Sequence, residues 1–277
     1  MKAALLAAAA AAFLVGANAA LHCDEHVDEC RRHYRGPVPH KDVGACQIDV
    51  EQWVDAHVKA LLQAKDKIHL LTHEGGGQVE QRLWMCSVLK RDILEQGVPG
   101  AIVELGVFKG ATSTLIAHTN HAFSGGEPRE HHLYDSFEGF PAPTAGDKIG
   151  GHAAHSAFKG NIRSAQTDVS DNFKRSAVAQ PTGLHKGFFG NIPDEEYPNQ
   201  IAFAFFDGDM YQSIKDSFAK VWHKLAIGGV VFIHDYQAES PETKWPGPKR
   251  ALDEFFKDKP ERVEQCWANI GKIVKQQ

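Results

Sequence analysis

Short apolar runs that alternate with segments of helical periodicity constrain the fold of this chain more than any other feature. Runs that are apolar throughout are typical of strands buried on both faces of a parallel sheet. The pattern therefore predicts an α/β domain with a Rossmann-like, mostly parallel central sheet and helices on both faces. The predicted strands are Ala101–Leu105, His131–Asp135, Leu184–Phe189, Ile201–Phe206 and Gly229–Ile233, and the predicted helices include Ala111–His118, Tyr211–Leu225 and Lys249–Phe256.

The segments on either side of this core extend the same pattern. Apolar residues recur at helical spacing over 50–62 and again over 79–94, and Gly97 ends the second helix. The tail over 263–274 has strand character around the turn residue Asn269. We expect this tail to add an antiparallel strand at the C-terminal edge of the sheet.

The length and charge of the chain limit its domain count and its partners. Its 277 residues suffice for one catalytic domain with short additions. Thirty Lys and Arg residues against 35 Asp and Glu give a formal charge of −5, so we expect no nucleic-acid partner. We assign 1–19 to a signal peptide, 20–48 to a cysteine-containing N-terminal arm and 49–277 to the main domain; homo-oligomerisation stays open.

The first residues have the character of a secretory leader. Lys2 precedes an apolar run over 3–15, and the small-residue pattern that signal peptidase recognises follows at 16–19. We predict cleavage after Ala19 or Ala20, since the run is shorter than the ~20 residues of a membrane span. The alternative is an uncleaved anchor. The leader predicts a secreted or secretory-pathway protein without a stable membrane span after cleavage, and onward delivery to an organelle stays open.

Three of the five cysteines, Cys23, Cys30 and Cys46, lie close together in the arm. An oxidising compartment would favour disulfides among them. The alternative is a zinc site that includes the nearby histidines of the arm.

The first predicted strand ends in a pattern that is typical of a ligand-binding crossover. The segment 103–110, VELGVFKG, places Glu104 at the end of the strand, and Gly106 and Gly110 before the next helix. Gly106 would let the backbone approach a ligand, and Gly110 would permit the tight entry into the helix. The pattern lacks the GxGxxG of a dinucleotide site and suits a ligand with a charged amino acid end, whose ammonium Glu104 would hold directly or through the loop.

Roughly thirty residues further on, Asp135 and Ser136 follow the next predicted strand. A carboxylate at that place can accept both hydroxyls of a ribose. For Glu104 and Asp135 the alternative is an acid that caps a helix or tethers a loop. Together they favour a site for a nucleoside-bearing cofactor.

Two further strand ends carry acids. Asp207 and Asp209 follow one strand, and His234 and Asp235 follow another. Oxygen ligands from Asp207 and Asp235, with Asp209 or His234, would suit Mg²⁺ or another divalent metal, which could orient an acceptor hydroxyl and lower its pKa. The alternative is that Asp207 and Asp209 cap the following helix.

The general base is assigned less directly. His152 and His155 lie in a glycine-rich loop after the second strand, and histidine is the best base near neutral pH. His234 is a further candidate as ligand or base. We place Asp207 with His152 and His155 in the catalytic group.

Four blocks of the sequence resemble the macrocin O-methyltransferase family, the metal-dependent sugar O-methyltransferases of macrolide biosynthesis. They are GVPGAIVELGVFKG at 97–110, DSFEGFP at 135–141, FDGDMY at 206–211 and GGVVFIHDY at 228–236, in family order. The resemblance implies a class I methyltransferase fold, S-adenosylmethionine as donor, and Mg²⁺ held at Asp207, His234 and Asp235. The family usually has Asp at the place of His234, and an imidazole there would shift preference toward a transition metal or withdraw from coordination.

The resulting hypothesis is an S-adenosylmethionine-dependent O-methyltransferase that acts on a hydroxyl of a sugar, another polyol or a similar small molecule. A second hypothesis is a secreted, non-catalytic binding protein that retains the fold. A nicotinamide-dependent oxidoreductase is disfavoured because GxGxxG is absent.

Overall fold

A computed structural model describes residues 55–64, 79–149, 151–153, 158–237, 244–267 and 269–277. The predicted signal peptide and the arm with Cys23, Cys30 and Cys46 lie outside these ranges, as does His155. Cys86 is buried and free. Within the described ranges, no helix has both the length and the apolar character that crossing a membrane would require.

A seven-stranded sheet forms the centre of the fold, in the order β5-β2-β1-β6-β7-β9-β8. The first five strands in this order are parallel, β9 is antiparallel to β7, and β8 is antiparallel to β9. This confirms the predicted mostly parallel sheet with an antiparallel C-terminal addition. The strands are β1 Ala101–Leu105, β2 His131–Asp135, β5 Gly183–Lys186, β6 Ile201–Phe206, β7 Leu225–Ile233, β8 Glu264–Trp267 and β9 Ile270–Val274.

Two predicted strands have different bounds in the structure. β7 begins at Leu225, four residues early, because Leu225 pairs with Ile201 before the register shifts. β5 ends at Lys186, because Gly187 takes a positive φ of 156° and a 3₁₀ turn follows at Phe189–Asn191. The aromatic residues after β5 therefore belong to a loop and not to the sheet.

Helices cover both faces of the sheet, as predicted. They are α1 Ala56–Ala64, α2 Val79–Val88, α3 Ala111–Phe123, α4 Gln166–Arg175, α5 Tyr211–Val221 and α6 Gly247–Phe256, and α2 continues as a π-helical turn over Leu89–Leu94. Along β6, Phe203 and Phe205 pack with α1, α2 and α3, whereas Ala204 and Phe206 pack with α5 and α6. Alternate residues of one apolar strand thus enter two cores, which is why the strand has no polar position.

A small hairpin of β3, Lys148–Ile149, and β4, His152–Ala153, is attached to the start of α5. The buried carboxylate of Asp147 accepts a hydrogen bond from the Tyr211 backbone N–H at 2.6 Å. Arg250 donates to the backbone carbonyl oxygens of Gly146 and Lys148. The hairpin is therefore fixed beside the loop that joins β6 to α5.

Candidate functional site

A cavity of about 510 Å³ opens at the carboxyl ends of the central strands. Its lining includes Gly106 after β1, Asp135 at the end of β2, Asp207 after β6 and His234 after β7. The chain leaves β1 for β2 on one side and reaches β6 on the other, so the cavity lies at the switch point where ligands of open α/β sheets bind. The structure thus brings the predicted cofactor and metal residues to one cavity, with the exception of Gly110, which is not part of its lining.

The loop between β1 and α3 depends on its two glycines. Gly106 has a φ of +96°, and a Cβ there would overlap the backbone carbonyl of Asp207. Gly110 has a φ of +82° at the start of α3, where a Cβ would lie 3.1 Å from Val169 Cγ1. Gly110 has its predicted role at the helix entry. Gly106 has a reason beyond ligand approach, because it lets the loops after β1 and β6 meet.

Glu104 faces the cavity from a buried position, with 1% of its surface exposed. Burial raises the pKa of its carboxyl to about 8, although the Ser113 hydroxyl and the charge of Arg82 act in the opposite direction. Its Oε2 atom is buried and, within the described ranges, has no hydrogen-bond partner. An unpaired buried carboxylate oxygen at a cavity fits a cationic ligand group, which would supply the missing bond.

Asp135 tethers the glycine loop. Its Oδ2 accepts hydrogen bonds from the backbone N–H groups of Val107 and Phe108, both at 2.9 Å, and its Oδ1 accepts one from Phe137 at 2.8 Å. The loop-tethering alternative is therefore correct, while the ribose contact stays a prediction, since a carboxylate offers about four acceptor sites. Ser136 shapes the same turn by donating to the carbonyl of Gly139 at 2.8 Å.

Four side chains, Asp207, Asp209, His234 and Asp235, form a cluster whose candidate ligand atoms all lie within 4.8 Å of one another. His234 Nδ1 lies 2.9 Å from Asp207 Oδ1 and 3.2 Å from Asp235 Oδ2. Asn269 donates from its Nδ2 to Asp235 Oδ1 at 3.1 Å. The helix-cap alternative for Asp207 and Asp209 finds no support, since the first backbone N–H of α5, at Tyr211, donates to Asp147 instead.

The pKa values in this cluster show how strongly its charges interact. Burial and the nearby charges of Asp235 and Asp207 raise the pKa of Asp209 well above its usual value. Burial lowers the pKa of His234, but the charge of Asp207 and contacts with Asp207 and Asp235 outweigh it and raise the value to about 9. Burial likewise opposes ionisation of Asp235, yet its contacts with His234 bring its pKa to about 2. Three carboxylates and one imidazole in such proximity are a donor set that fits a divalent cation.

The backbone around the cavity is conformationally strained. Six non-glycine residues of the described chain have a positive φ, and four of them line this cavity: Phe108, Ile162, Asp209 and Asp235. Such conformations cost of order 1 kcal/mol each and persist where the surrounding structure enforces them, often at functional sites. Two of the four are candidate metal ligands, so backbone strain accompanies the position of the acidic cluster.

Arg82 is a cavity residue that the sequence analysis missed. It projects from α2 with 2% of its side chain exposed, donating to Asp207 Oδ2 at 3.1 Å and to Thr112 Oγ1 at 3.0 Å. Its guanidinium lies 4.7 Å from the centre of the Phe205 ring. An arginine next to the apolar run Leu83–Met85 was the available signal, but Asp207 is 125 residues away in sequence.

Aromatic side chains form another part of the cavity lining, here called the aromatic wall. Phe140 and Trp245 meet edge to face with ring centres 5.4 Å apart, and Phe188 and Phe189 line the cavity as well. Lys244, beside Trp245, adds a cation to this wall.

The predicted bases do not join this arrangement. His152 lies on β4, is exposed and is not part of the cavity lining. His155 lies outside the described residues. Their role as general base stays a prediction, whereas His234, the further candidate, lies within the acidic cluster.

The known proteins that this chain resembles in sequence include sugar and antibiotic O-methyltransferases. An enzyme of Streptomyces olivaceus, 8-demethyl-8-(2,3-dimethoxy-α-L-rhamnosyl)-tetracenomycin-C 4′-O-methyltransferase, is 29% identical over 154 residues, which cover 53% of this chain and 57% of that protein. Demethyldecarbamoylnovobiocin O-methyltransferase of Streptomyces niveus is 27% identical over 170 residues, or 59% of this chain and 61% of its own length. The chain thus matches about three fifths of the length of these relatives.

Solved structures agree on the fold. The O-methyltransferase NovP aligns with a TM-score of 0.64 at 19% identity, covering 83% of this chain and all of NovP. The calicheamicin methyltransferase CalS11 aligns with a TM-score of 0.53 at 20% identity, covering 86% of this chain and 99% of its own. These alignments confirm the class I methyltransferase fold.

The family model of macrocin-O-methyltransferase (TylF) matches residues 69–260, a range that contains all four blocks of the predicted resemblance and every cavity residue named above. On this match the chain belongs to the macrocin-O-methyltransferase (TylF) family.

Proposed function

We propose that this protein transfers the methyl group of S-adenosylmethionine to a hydroxyl of a sugar, or of another polyol-like small molecule, beside a bound divalent metal. One observation carries the proposal: a single cavity is lined both by Glu104, whose buried Oε2 has no hydrogen-bond partner within the described ranges, and by the cluster of Asp207, Asp209, His234 and Asp235. The first suits the cationic end of the donor, and the second suits a cation beside the acceptor.

The donor would lie along the loop between β1 and α3. Its ammonium group would pair with Glu104 and favour the ionised carboxyl, which burial otherwise opposes. Asp135 would hold the loop in place through its backbone hydrogen bonds and offer a remaining lone pair to the ribose. Gly106 and Gly110 permit the loop to take this path.

The metal would be held by Asp207 and Asp235, with His234 and Asp209 as further ligands. When bound, such a metal supplies Lewis acidity, which orients an acceptor hydroxyl and lowers its pKa. Arg82 fixes Asp207 by a hydrogen bond to the oxygen that does not face His234, and Asn269 fixes Asp235 in the same way. The chain thus positions both carboxylates before any ligand arrives.

The transfer forms a bond between the acceptor oxygen and the methyl carbon and breaks the bond between that carbon and the sulfonium sulfur. The hydroxyl proton passes to a base, and the products are a methyl ether and S-adenosylhomocysteine. His152 and His155 are our candidates for this base, with His234 as a third, and each is testable by substitution. The role of the chain is mainly to hold two reactants in line.

The class of acceptor is proposed from the aromatic wall of the cavity and from the names of the related enzymes. Phe140 and Trp245 present apolar ring surface to the cavity, which suits the C–H face of a sugar ring. Relatives are named for methylation of a rhamnosyl tetracenomycin and of demethyldecarbamoylnovobiocin. A glycosylated small molecule is therefore the acceptor class to test first.

Calorimetry with S-adenosylmethionine and S-adenosylhomocysteine tests the donor site. We expect saturable binding, and a tenfold to hundredfold loss in Glu104→Gln, the range for one charge-assisted hydrogen bond. Glu195→Gln, an exposed residue, is the matched control and should bind like the wild type. No binding of either compound at millimolar concentration would refute the proposal. Binding without methyl transfer to any glycosylated acceptor would favour the non-catalytic alternative.

We also propose that the leader is removed and that the protein enters the secretory pathway. The support is the apolar run over 3–15 and the small residues that follow it. Mass spectrometry of protein recovered from a eukaryotic secretion host should give an N-terminus at Ala20 or Leu21, and non-reducing peptide maps should show whether Cys23 and Cys30 are joined. Intact Met1 in cell-retained protein would contradict this.

A further inference from the structure

We infer that His234 is a direct ligand at the acidic cluster and makes the site selective for a first-row transition metal such as Mn²⁺ over Mg²⁺. This inference rests on the proposed metal site and deepens it, because it names the residue that decides which cation is held. The resemblance to the family implies an Asp at this position, so His234 is a feature of this chain.

The spacing of the ligand atoms supports direct coordination. Neighbouring ligands on a metal with bonds of about 2.1 Å lie about 3 Å apart. His234 Nδ1 is 2.9 Å from Asp207 Oδ1 and 3.2 Å from Asp235 Oδ2. The imidazole nitrogen therefore lies at the separation of an adjacent coordination position from each of the two carboxylate oxygens.

The position of the His234 imidazole is constrained by its surroundings. His234 has 6% of its surface exposed, and its backbone N–H donates to the carbonyl of Phe206 at 2.9 Å. The next residue, Asp235, has a φ of +55°, so the backbone at this turn is tightly constrained. A cation that binds between Asp207 and Asp235 therefore meets the ring nitrogen.

The chemistry of that nitrogen sets the selectivity. Mg²⁺ prefers oxygen ligands, whereas imidazole suits the transition metals, so replacing a carboxylate by an imidazole shifts the balance toward them. The second ring nitrogen, Nε2, lies 3.5 Å from Asn269 Nδ2, which is a donor. Among the residues that the structure describes, Nε2 has no acceptor of the kind that commonly orients a ligating histidine, so we expect a shift in selectivity of about tenfold, not of several orders of magnitude.

Electron spin echo envelope modulation of the Mn²⁺-loaded full chain tests the ligand directly. We expect ¹⁴N modulation from a coordinated imidazole in the wild type and its loss in His234→Asp. His223→Asn, at an exposed histidine just before β7, whereas the cluster follows the other end of that strand, is the matched control and should keep the modulation. Bound Mn²⁺ without nitrogen modulation in the wild type would overturn the inference.

Calorimetric titration with MnCl₂ and with MgCl₂ gives a second readout. The ratio of the Mn²⁺ affinity to the Mg²⁺ affinity should fall about tenfold in His234→Asp, and an unchanged ratio would overturn the inference. S-adenosylhomocysteine binding, measured on the same samples, reports folding and the donor site. If that binding is intact but neither metal binds, the inference and the metal site fail together while the donor site stands.

Discussion

The two halves of the cavity are built in different ways. At the ends of β1 and β2, Asp135 is held by three backbone N–H groups, and the loop path is set by glycine conformations. At the ends of β6 and β7, Asp207, His234 and Asp235 are held by one another and by side chains from distant parts of the chain. The half at β1 and β2 is held by the backbone, and the half at β6 and β7 is held by interactions between charged side chains.

This difference determines what each half tolerates. Backbone hydrogen bonds and glycine conformations do not depend on a ligand, so the loop of the donor half should be formed before the donor binds. Carboxylates grouped with an imidazole and an arginine change their protonation together, so the metal half should respond to pH and to cations. Substitutions in the two halves should therefore change the stability of the protein by different amounts and in opposite directions.

The largest effect is expected where the two halves touch. Gly106→Ala places a methyl group against the Asp207 carbonyl and forces alanine to a φ near +96°, so we expect a loss of about 4 kcal/mol in the free energy of unfolding. Gly125→Ala is the matched control: its φ is +70° and no atom lies within 4 Å of the added methyl, so about 1 kcal/mol is expected. Equal losses in urea denaturation would show that the contact between the halves is not tight.

Asp135→Ala tests the backbone-held half by itself. Three N–H groups lose a charged acceptor, which we expect to lower the free energy of unfolding by about 2 kcal/mol, with or without divalent metal. Asp168→Ala, at a half-buried residue that accepts one N–H at the start of α4, should lose less than half as much. A loss that metal restores would mean that Asp135 belongs to the charge-held half.

The same contrast explains what the sequence could predict. β1 and β6 have the predicted bounds, because a strand buried on both faces is mostly apolar and ends where its loop begins. β2 also has its predicted bounds, although it begins with His131 and His132. Glu104 and Asp135 lie in the last two residues of β1 and β2, and Asp207 comes directly after β6. Asp235 comes two residues after the end of β7, which also lies where it was predicted. The end of β5 was not predictable in this way, because Phe188 and Phe189 continue the apolar pattern while lining a cavity instead of a sheet.

Contacts that depend on tertiary packing could not be predicted. Arg82 reaches Asp207 from α2, and Gln81 reaches Asn269 across 188 residues of sequence. The tethering of the loop by Asp135 was an alternative that spacing alone could not decide. Such contacts arise only once the sheet order brings the helix and the C-terminal strands to the same edge.

In the charge-held half, a substitution is expected to raise the stability of the metal-free protein, by less than the losses predicted above. Because the pKa of Asp209 is raised in the fold, its ionisation opposes folding, and metal-free stability should fall as pH rises above the unfolded value near 4. Asp209→Asn removes that titration, so the metal-free melting temperature at pH 7 should rise, and the further rise on adding MnCl₂ should shrink. A metal-free variant that melts lower than the wild type would contradict the charge argument.

The smallest effect is expected at α1, which begins away from both halves. Asp55 accepts N–H groups of His57 and Val58 at the start of the helix and pairs with Lys90 at 2.7 Å. Burial raises its pKa, but the hydrogen bond from Lys90 and the backbone N–H groups outweigh this and lower it. A lowered carboxyl pKa gives stability that is present above the unfolded value near 4 and is lost as pH falls through the folded value.

Asp55→Asn should therefore cost about 1 kcal/mol at pH 7 in urea denaturation, and the difference from the wild type should close at low pH. Because asparagine can still cap a helix, what remains at neutral pH reports the pairing with Lys90. The same loss should appear with or without MnCl₂ and with or without S-adenosylhomocysteine. Dependence on either ligand would mean that α1 is coupled to the cavity, and the division into a backbone-held and a charge-held half would then have to include this helix.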